Sequence, residues 1–270
     1  MARPITFLSD YGHADEFVGV VHAVIARLAP GSRIIDISHG VPRHAVLAGA
    51  LALERALPYA APGVHLAVVD PEVGARRRAI ALRTEKEDRL LVGPDNGLLL
   101  PAAGRFGGVA EVVDIGSSPW RLEPVSATFH GRDVFAPVAA RLASGEALAD
   151  AGPPLDPADL VALDRTSARV EPDGSLTARA VAVDTFGNVQ LDVAHEQLAR
   201  TALRLGHPVR IDLGGRSVGG QFARSFADVA PGEILVYEDA SRMLAVAVNT
   251  GDAAEDLLLR PGDELRILPA

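Results

Sequence analysis

Two aspartates close apolar runs early in the chain, Asp10 in FLSDYG and Asp70 in VVDPEVG. Ligands of parallel α/β sheets gather at the carboxyl ends of strands, so a carboxylate there is placed to accept a proton or a hydrogen bond. The same location also suits an aspartate that only caps a turn or a helix. Asp36, near the end of a third run, tilts the pattern towards a site. Three arginines, Arg76, Arg77 and Arg78, follow Asp70, and two of them are expected on a solvated surface. TFHGRDVFAP sets Phe129, His130, Arg132 and Asp133 around a glycine at a loop-to-helix junction, where a histidine is exposed enough to act on a proton. These types raise the expectation of an enzyme working through Asp70, Arg77 and His130, although each residue has a structural explanation on its own.

Other chemistries find no motif. There is no GxxxxGK[ST] phosphate loop, no GxGxxG after the first strand, no HExxH and no GxSxG. DYGHADE has the residue types of a metal cluster, but His13 stands without a spaced partner histidine, so neither metal nor cofactor is expected. The chain has 270 residues, no cysteine and a net charge of −9. Disulfides, thiolate metal sites and cysteine nucleophiles are thereby excluded, and a general basic surface for nucleic acid is lacking. No apolar run approaches the roughly 20 residues that cross a bilayer, and PITFLSD begins without a signal-like segment. A soluble cytoplasmic enzyme with no nucleic-acid or membrane partner is expected.

Alternating elements must position these residues. Strands are predicted over 5–8, 32–37, 64–69, 79–83, 89–92 and 109–114, and helices over 16–28, 44–57 and 132–142. Strand–helix–strand at this spacing implies parallel strands with crossover helices, hence a layered α/β domain over 1–155. The stretch 145–157, rich in Gly, Pro, Asp and Ala, reads as a connection, and 156–175 as a linker. From 176 to 270 the pattern becomes short strands, at 177–183, 187–192, 209–213, 234–237 and 244–248. Gly214, Gly215, Gly219, Gly220 and Pro231-Gly232 punctuate them as turns, which suits a smaller, mostly antiparallel β domain.

FLSDYG, VVDPEVG with its following arginine, GPDNG, TFHGRDVFAP, DTFGNVQ and FADVAPGE…AVAVN occur in this order across nearly the whole chain. Together they resemble the adenosine-forming S-adenosyl-L-methionine (SAM) hydrolases, or SAM hydroxide adenosyltransferases, relatives of the SAM-dependent fluorinating and chlorinating enzymes. The resemblance implies a parallel-sheet α/β domain, a C-terminal antiparallel β-barrel-like domain, and a homotrimer. Its active sites would lie between the N-terminal domain of one subunit and the C-terminal domain of the next. It further implies catalytic roles for Asp70, Arg77 and His130, with the arginine dependent on register among its neighbours. Asp10 matches the ribose-hydroxyl acceptor, and Asp15, Phe17 and Phe129 adjoin the nucleoside. Asp184 matches the acceptor of the methionine ammonium, Asn188 the amide that reads adenine, Phe226 an aromatic against the purine, and Val248 a backbone contact to adenine. Counting back from AVAVN without a gap puts Ala240 where relatives carry a serine for the methionine carboxylate. Either Ser241, one place later, substitutes, or the methionine end is held differently, with help from Arg242.

The implied reaction is displacement at C5′ by water, giving adenosine and L-methionine. The sulfonium leaves as a neutral thioether, so the reaction needs no metal; it needs a better nucleophile than water of pKa about 15.7. A carboxylate can take the proton, a guanidinium can steady developing hydroxide, and an imidazole can orient the water or relay its proton. A halogenase of the same superfamily is the nearest alternative, although an anionic Asp70 would repel a halide. A non-catalytic adenosine- or SAM-binding module and a metal-dependent hydrolase using Asp10, Asp36 and Asp70 are the others.

Overall fold

A computed structural model describes residues 2–164 and 168–270. Two compact units divide the chain, Met1–Leu163 and Asp164–Ala270.

In the first unit, β1 (Ile5–Ser9), β2 (Ile34–Ser38), β3 (Val64–Val68), β4 (Ala79–Thr84), β5 (Leu90–Pro94) and β6 (Val109–Asp114) form one sheet in the order β2-β1-β3-β5-β4-β6. Pairings β1–β2, β1–β3 and β3–β5 are parallel, and β4 runs antiparallel to both its neighbours. The sheet is therefore largely parallel, as the alternation of elements requires. Side chains alternate cleanly between its two faces. Ile5, Phe7, Leu66, Ala81 and Val92 enter one core, shared with α1 (Phe17–Leu28) and α4 (Ala136–Ala143). Leu8, Ala67, Ile80, Leu82 and Leu91 enter the other, shared with α2 (Val46–Ala56) and α3 (Leu100–Arg105).

Several expectations are corrected here. The helix α3 was not anticipated; it is a single six-residue turn region too short for a periodic signal. The helix expected from Arg132 instead opens with a wide turn, Gly131–Phe135, in which the Ala136 N–H donates to Gly131 O. Pro137 has no N–H to offer the Asp133 carbonyl four residues back, and that carbonyl accepts from Leu122 N at 2.8 Å instead. The expected connection at 145–157 is packed against β6, with Asp114 N bonded to Pro153 O and Leu155 N to Val112 O. Onward, Val161 N donates to the buried Asp95 carboxylate, so the first unit runs on to Leu163. Residues 165–167, within the expected linker 156–175, lie outside the described residues.

The second unit is a closed barrel. After the short β7 (Arg169–Val170) come β8 (Leu176–Val183), β9 (Val189–Ala194), the turn α5 (His195–Leu198), β10 (Pro208–Leu213), β11 (Arg216–Phe222), β12 (Ile234–Glu238), β13 (Met243–Val248), α6 (Ala253–Asp256) and β14 (Glu264–Pro269). The order β14-β10-β11-β12-β13-β9-β8 closes through β14–β8, and the pairings are antiparallel except β11–β12. Leu191, Ile211, Val236, Val246 and Ile267 fill its interior. Gly219 and Gly220, read as turn residues, lie inside β11, paired with Arg210 and Val209. The turn is formed by Gly214 and Gly215 alone, between the paired residues Leu213 and Arg216. Among the described residues, no helix is long and apolar enough to cross a membrane.

His65, fully buried in β3, sets an acid limit on the first unit. Arg89 Nη1 donates to His65 Nε2 at 3.3 Å, so the ring carries its proton on Nδ1, 2.9 Å from Thr6 Oγ1. Burial, and then the Arg89 charge, push its pKa down to about 3. The unfolded chain takes up this proton near its ordinary pKa of about 6.5, so stability is full above that pH and falls as the pH drops below it. At about pH 4 the expected loss from this group is about 3 kcal/mol. Urea midpoints measured between pH 7 and 4 should fall accordingly, and the fall should be shallower in His65→Gln.

Candidate active site

Asp70 lies two residues beyond β3, at the carboxyl end of the parallel strands. The DPEVG turn then doubles back through Gly74, whose φ of +76° is one that side chains rarely adopt. A Cβ there would also overlap the Ala127 carbonyl. This close approach seats the turn after Asp70 against the segment that leads to His130. Arg77, on the last extended residues before β4, reaches back to both.

The resulting geometry is a bridged triad. Arg77 Nε donates to Asp70 Oδ1 and Oδ2 at 2.9 and 3.0 Å, and Nη2 donates to Oδ2 at 2.5 Å. The same Nη2 lies 2.8 Å from His130 Nδ1. Arginine only donates, so Nδ1 is an acceptor and the neutral ring carries its proton on Nε2. Burial, then the Arg77 charge, hold the His130 imidazole below its ordinary pKa range. The Arg77 and Asp70 side chains are only 4% and 5% exposed, and the guanidinium carbon lies 5.3 Å from the centre of the Phe135 ring. His130 is partly exposed.

Of the three arginines, only Arg76 is exposed, where two surface residues were expected. Arg78 is held by Asp95, with Nε to Oδ2 at 2.8 Å. Arg132 and Asp133 are spent on each other and on the loop. Arg132 Nε donates to Asp133 Oδ1 at 2.6 Å, and Asp133 Oδ2 accepts from Ser126 N at 2.8 Å.

Asp10 follows β1, next to β3 in the sheet, and its Oδ2 accepts from His44 N at 3.0 Å. Phe17 and Phe129 meet edge to face with ring centres 5.1 Å apart, and Tyr11 lies 5.9 Å from each. Asp15 is exposed in the preceding loop. Asp10, Tyr11, Phe17 and Phe129 thus gather beside the triad. Tyr11 was not singled out from sequence. Burial and then the Asp10 and Asp70 charges push its phenol well above the ordinary range, so it stays protonated. A Cβ on Gly131 would overlap its hydroxyl. Gly131→Ala is therefore expected to displace either Tyr11 or His130 and to lower kcat/KM by about tenfold to a hundredfold, with little loss of folded protein by circular dichroism.

In the second unit, Asp184 and Asn188 bracket the β8–β9 turn and are bonded to each other. Asp184 Oδ1 accepts from Phe186 N and Asn188 N at 2.9 and 3.0 Å, and Oδ2 accepts from Asn188 Nδ2 at 2.8 Å. Both side chains therefore hold the turn in this chain, leaving Asn188 Oδ1 and the unused lone pairs of Asp184 for any ligand. Phe226 packs on Tyr237 with ring centres 5.1 Å apart. The Tyr237 phenol is pushed up to about 12 by burial, then by Asp184 and Asp239. Val248 ends β13, its carbonyl already accepting from Gly251 N at 3.0 Å. Ser241 and Arg242 lie at the other end of β13, exposed in a turn capped by Asp239, which accepts from Ser241 N at 2.8 Å. Phe186, 76% exposed beside Asp184, is a further candidate that sequence reading passed over. An aromatic inside a turn motif was its only signal.

Residues 5–152 match the N-terminal domain, and residues 178–266 the C-terminal domain, of SAM hydroxide adenosyltransferases, and the chain belongs to that family. It is 51% identical over 263 residues to the (R)-S-adenosyl-L-methionine hydrolase of Salinispora tropica, covering 97% of each chain. A fluorinase of Actinopolyspora mzabensis is 25% identical over 297 residues, covering 98% of this chain and 97% of its own. The crystal structure of an uncharacterised conserved protein from Thermotoga maritima superposes with a TM-score of 0.89 at 37% identity, covering 98% of this chain and 99% of that one.

Proposed function

We propose that this chain hydrolyses SAM to adenosine and L-methionine by in-line attack of a water on C5′. The observation that carries this reading is the bridged Asp70–Arg77–His130 triad, the groups that water activation requires. Asp70 accepts the proton of the attacking water as the carbon–oxygen bond forms. Arg77 fixes both partners and steadies negative charge on the oxygen. Because His130 Nδ1 accepts from Arg77, its Nε2–H donates, so the ring orients the water and does not take its proton. Orientation of that water in line with sulfur supplies much of the remaining advantage.

The binding roles go with this assignment: Asp10 to the ribose hydroxyls, Asp15, Phe17 and Phe129 beside the nucleoside, and Asn188, Phe226 and Val248 to adenine. Asp184 takes the methionine ammonium, and Ser241 with Arg242 its carboxylate. The first unit holds the water-activating groups and the second the adenine and methionine groups. With this reading goes a cytoplasmic homotrimer, as the family resemblance implies, in which the N-terminal unit of one subunit meets the C-terminal unit of the next. The halogenase alternative fares worse, since the relative with the higher identity is a hydrolase and a halide needs no proton acceptor.

The test is to incubate the protein with each sulfonium epimer of SAM, with and without chelator, chloride or fluoride, and to identify the nucleoside. Adenosine in every condition is expected. A halogenated nucleoside, or bound SAM without turnover, would each overturn the reading.

A further inference from the structure

Behind the loop that carries Asp10, a histidine of α1 meets an aspartate and a histidine at the end of β2. His22 lies on α1, Asp36 on β2, and His39 just after β2. His22 Nε2 and His39 Nε2 both face Asp36 Oδ1, at 2.8 and 3.1 Å. One ligand atom from each residue lies within 4.8 Å of the others.

A hydrogen-bonded relay accounts for only part of this arrangement. The His39 side chain is fully buried, and its Nε2 has no aligned hydrogen-bond partner, despite its closeness to the carboxylate. Its other nitrogen, Nδ1, lies 2.7 Å from Ser9 Oγ, a partner that can fix the tautomer with Nε2 as the bare donor atom. A buried ring nitrogen left without a hydrogen bond is unfavourable, and a cation placed between it and the nearby carboxylate would satisfy both. Four-coordinate zinc, at about 2.0–2.1 Å from nitrogen and oxygen ligands, sets its ligands about 3.3 Å apart. The two separations from Asp36 Oδ1, 2.8 and 3.1 Å, need to open by only about half an ångström or less to reach that spacing. His13 packs its ring edge to face on His39 with centres 5.3 Å apart, outside the three-residue cluster.

We propose that His22, Asp36 and His39 bind a divalent transition-metal ion of the zinc class, through two imidazole Nε2 atoms and one carboxylate oxygen. The ion ties α1 to the β2 edge and takes no part in bond cleavage. It would also steady the substrate-binding loop, because Gly12 N donates to His39 O at 2.8 Å and Tyr11 N to Ser9 Oγ at 3.3 Å.

The test uses untagged full-length protein stripped with a chelator and then titrated with Co²⁺, followed by Zn²⁺. One Co²⁺ per chain is expected, with visible absorption of low-symmetry nitrogen–oxygen coordination, displaced by Zn²⁺. His22→Ala and Asp36→Asn, both at partly exposed positions, should each weaken Zn²⁺ binding by more than about tenfold. His195→Ala, which removes the His195–Glu238 pair of the second unit, should leave binding unchanged. Zinc at a hundredfold excess over its Kd should raise the melting temperature by about 5–10 °C. Substoichiometric binding, or binding that both variants leave intact, would overturn the proposal. A fall in kcat on stripping, as distinct from a rise in KM, would overturn the assignment of the ion to fastening.

Discussion

Asp70→Asn is expected to lower kcat for SAM hydrolysis by about 10²–10⁴-fold with KM little changed. The amide keeps the volume of the carboxylate, and its oxygen can still face the Arg77 fork. What it loses is the ability to take the proton that the attacking water sheds as its oxygen bonds to carbon. Substrate contacts assigned to Asp10 and to the second unit are untouched, which is why the loss falls on the chemical step. Single-turnover formation of adenosine, followed by chromatography at saturating SAM, measures it. Activity within about threefold of the parent protein would remove Asp70 from its assigned role.

The part of the site carried by Asp10 and Asp70 was legible because apolar runs that end in aspartate mark the carboxyl ends of parallel strands. The choice among Arg76, Arg77 and Arg78 was not, since it depends on which face an extended residue presents. Arg77 shares a face with Ala79 and Ala81, towards the core that contains Phe135, whereas Arg78 shares one with Ile80 and turns to Asp95. The barrel was legible as a run of short strands, but β11 was hidden because its glycines carry the composition of a turn. They are paired with Arg210 and Val209 in the β10–β11 hairpin, whose two-glycine turn at Gly214 and Gly215 their own composition imitates. His22, Asp36 and His39 were unreadable as a cluster for a different reason. Asp36 and His39 lie three residues apart at the end of β2, and His22 joins them only once α1 has packed back against that strand.

Arg77→Met is expected to cost both activity and stability, and the two losses can be separated. The Asp70–Arg77 pair is almost wholly buried, so removing the guanidinium leaves a carboxylate without its counter-charge. Breaking a buried pair in this way costs about 3–5 kcal/mol, which lowers the melting temperature of a unit this size by about 10 °C or more. The double variant Asp70→Leu/Arg77→Met removes both charges and should regain most of that stability, since apolar replacements of buried pairs are often neutral or stabilising. It should regain no hydrolysis. Arg77→Lys completes the comparison: its ammonium keeps the charge but lacks the planar fork that reaches Asp70 and His130 together. Its melting temperature should fall between those of the parent and Arg77→Met, with kcat still reduced by at least about tenfold. A double variant as unstable as Arg77→Met would mean that the fold depends on the pair. Recovery of stability without recovery of turnover would mean that the buried charges are kept for the reaction they perform.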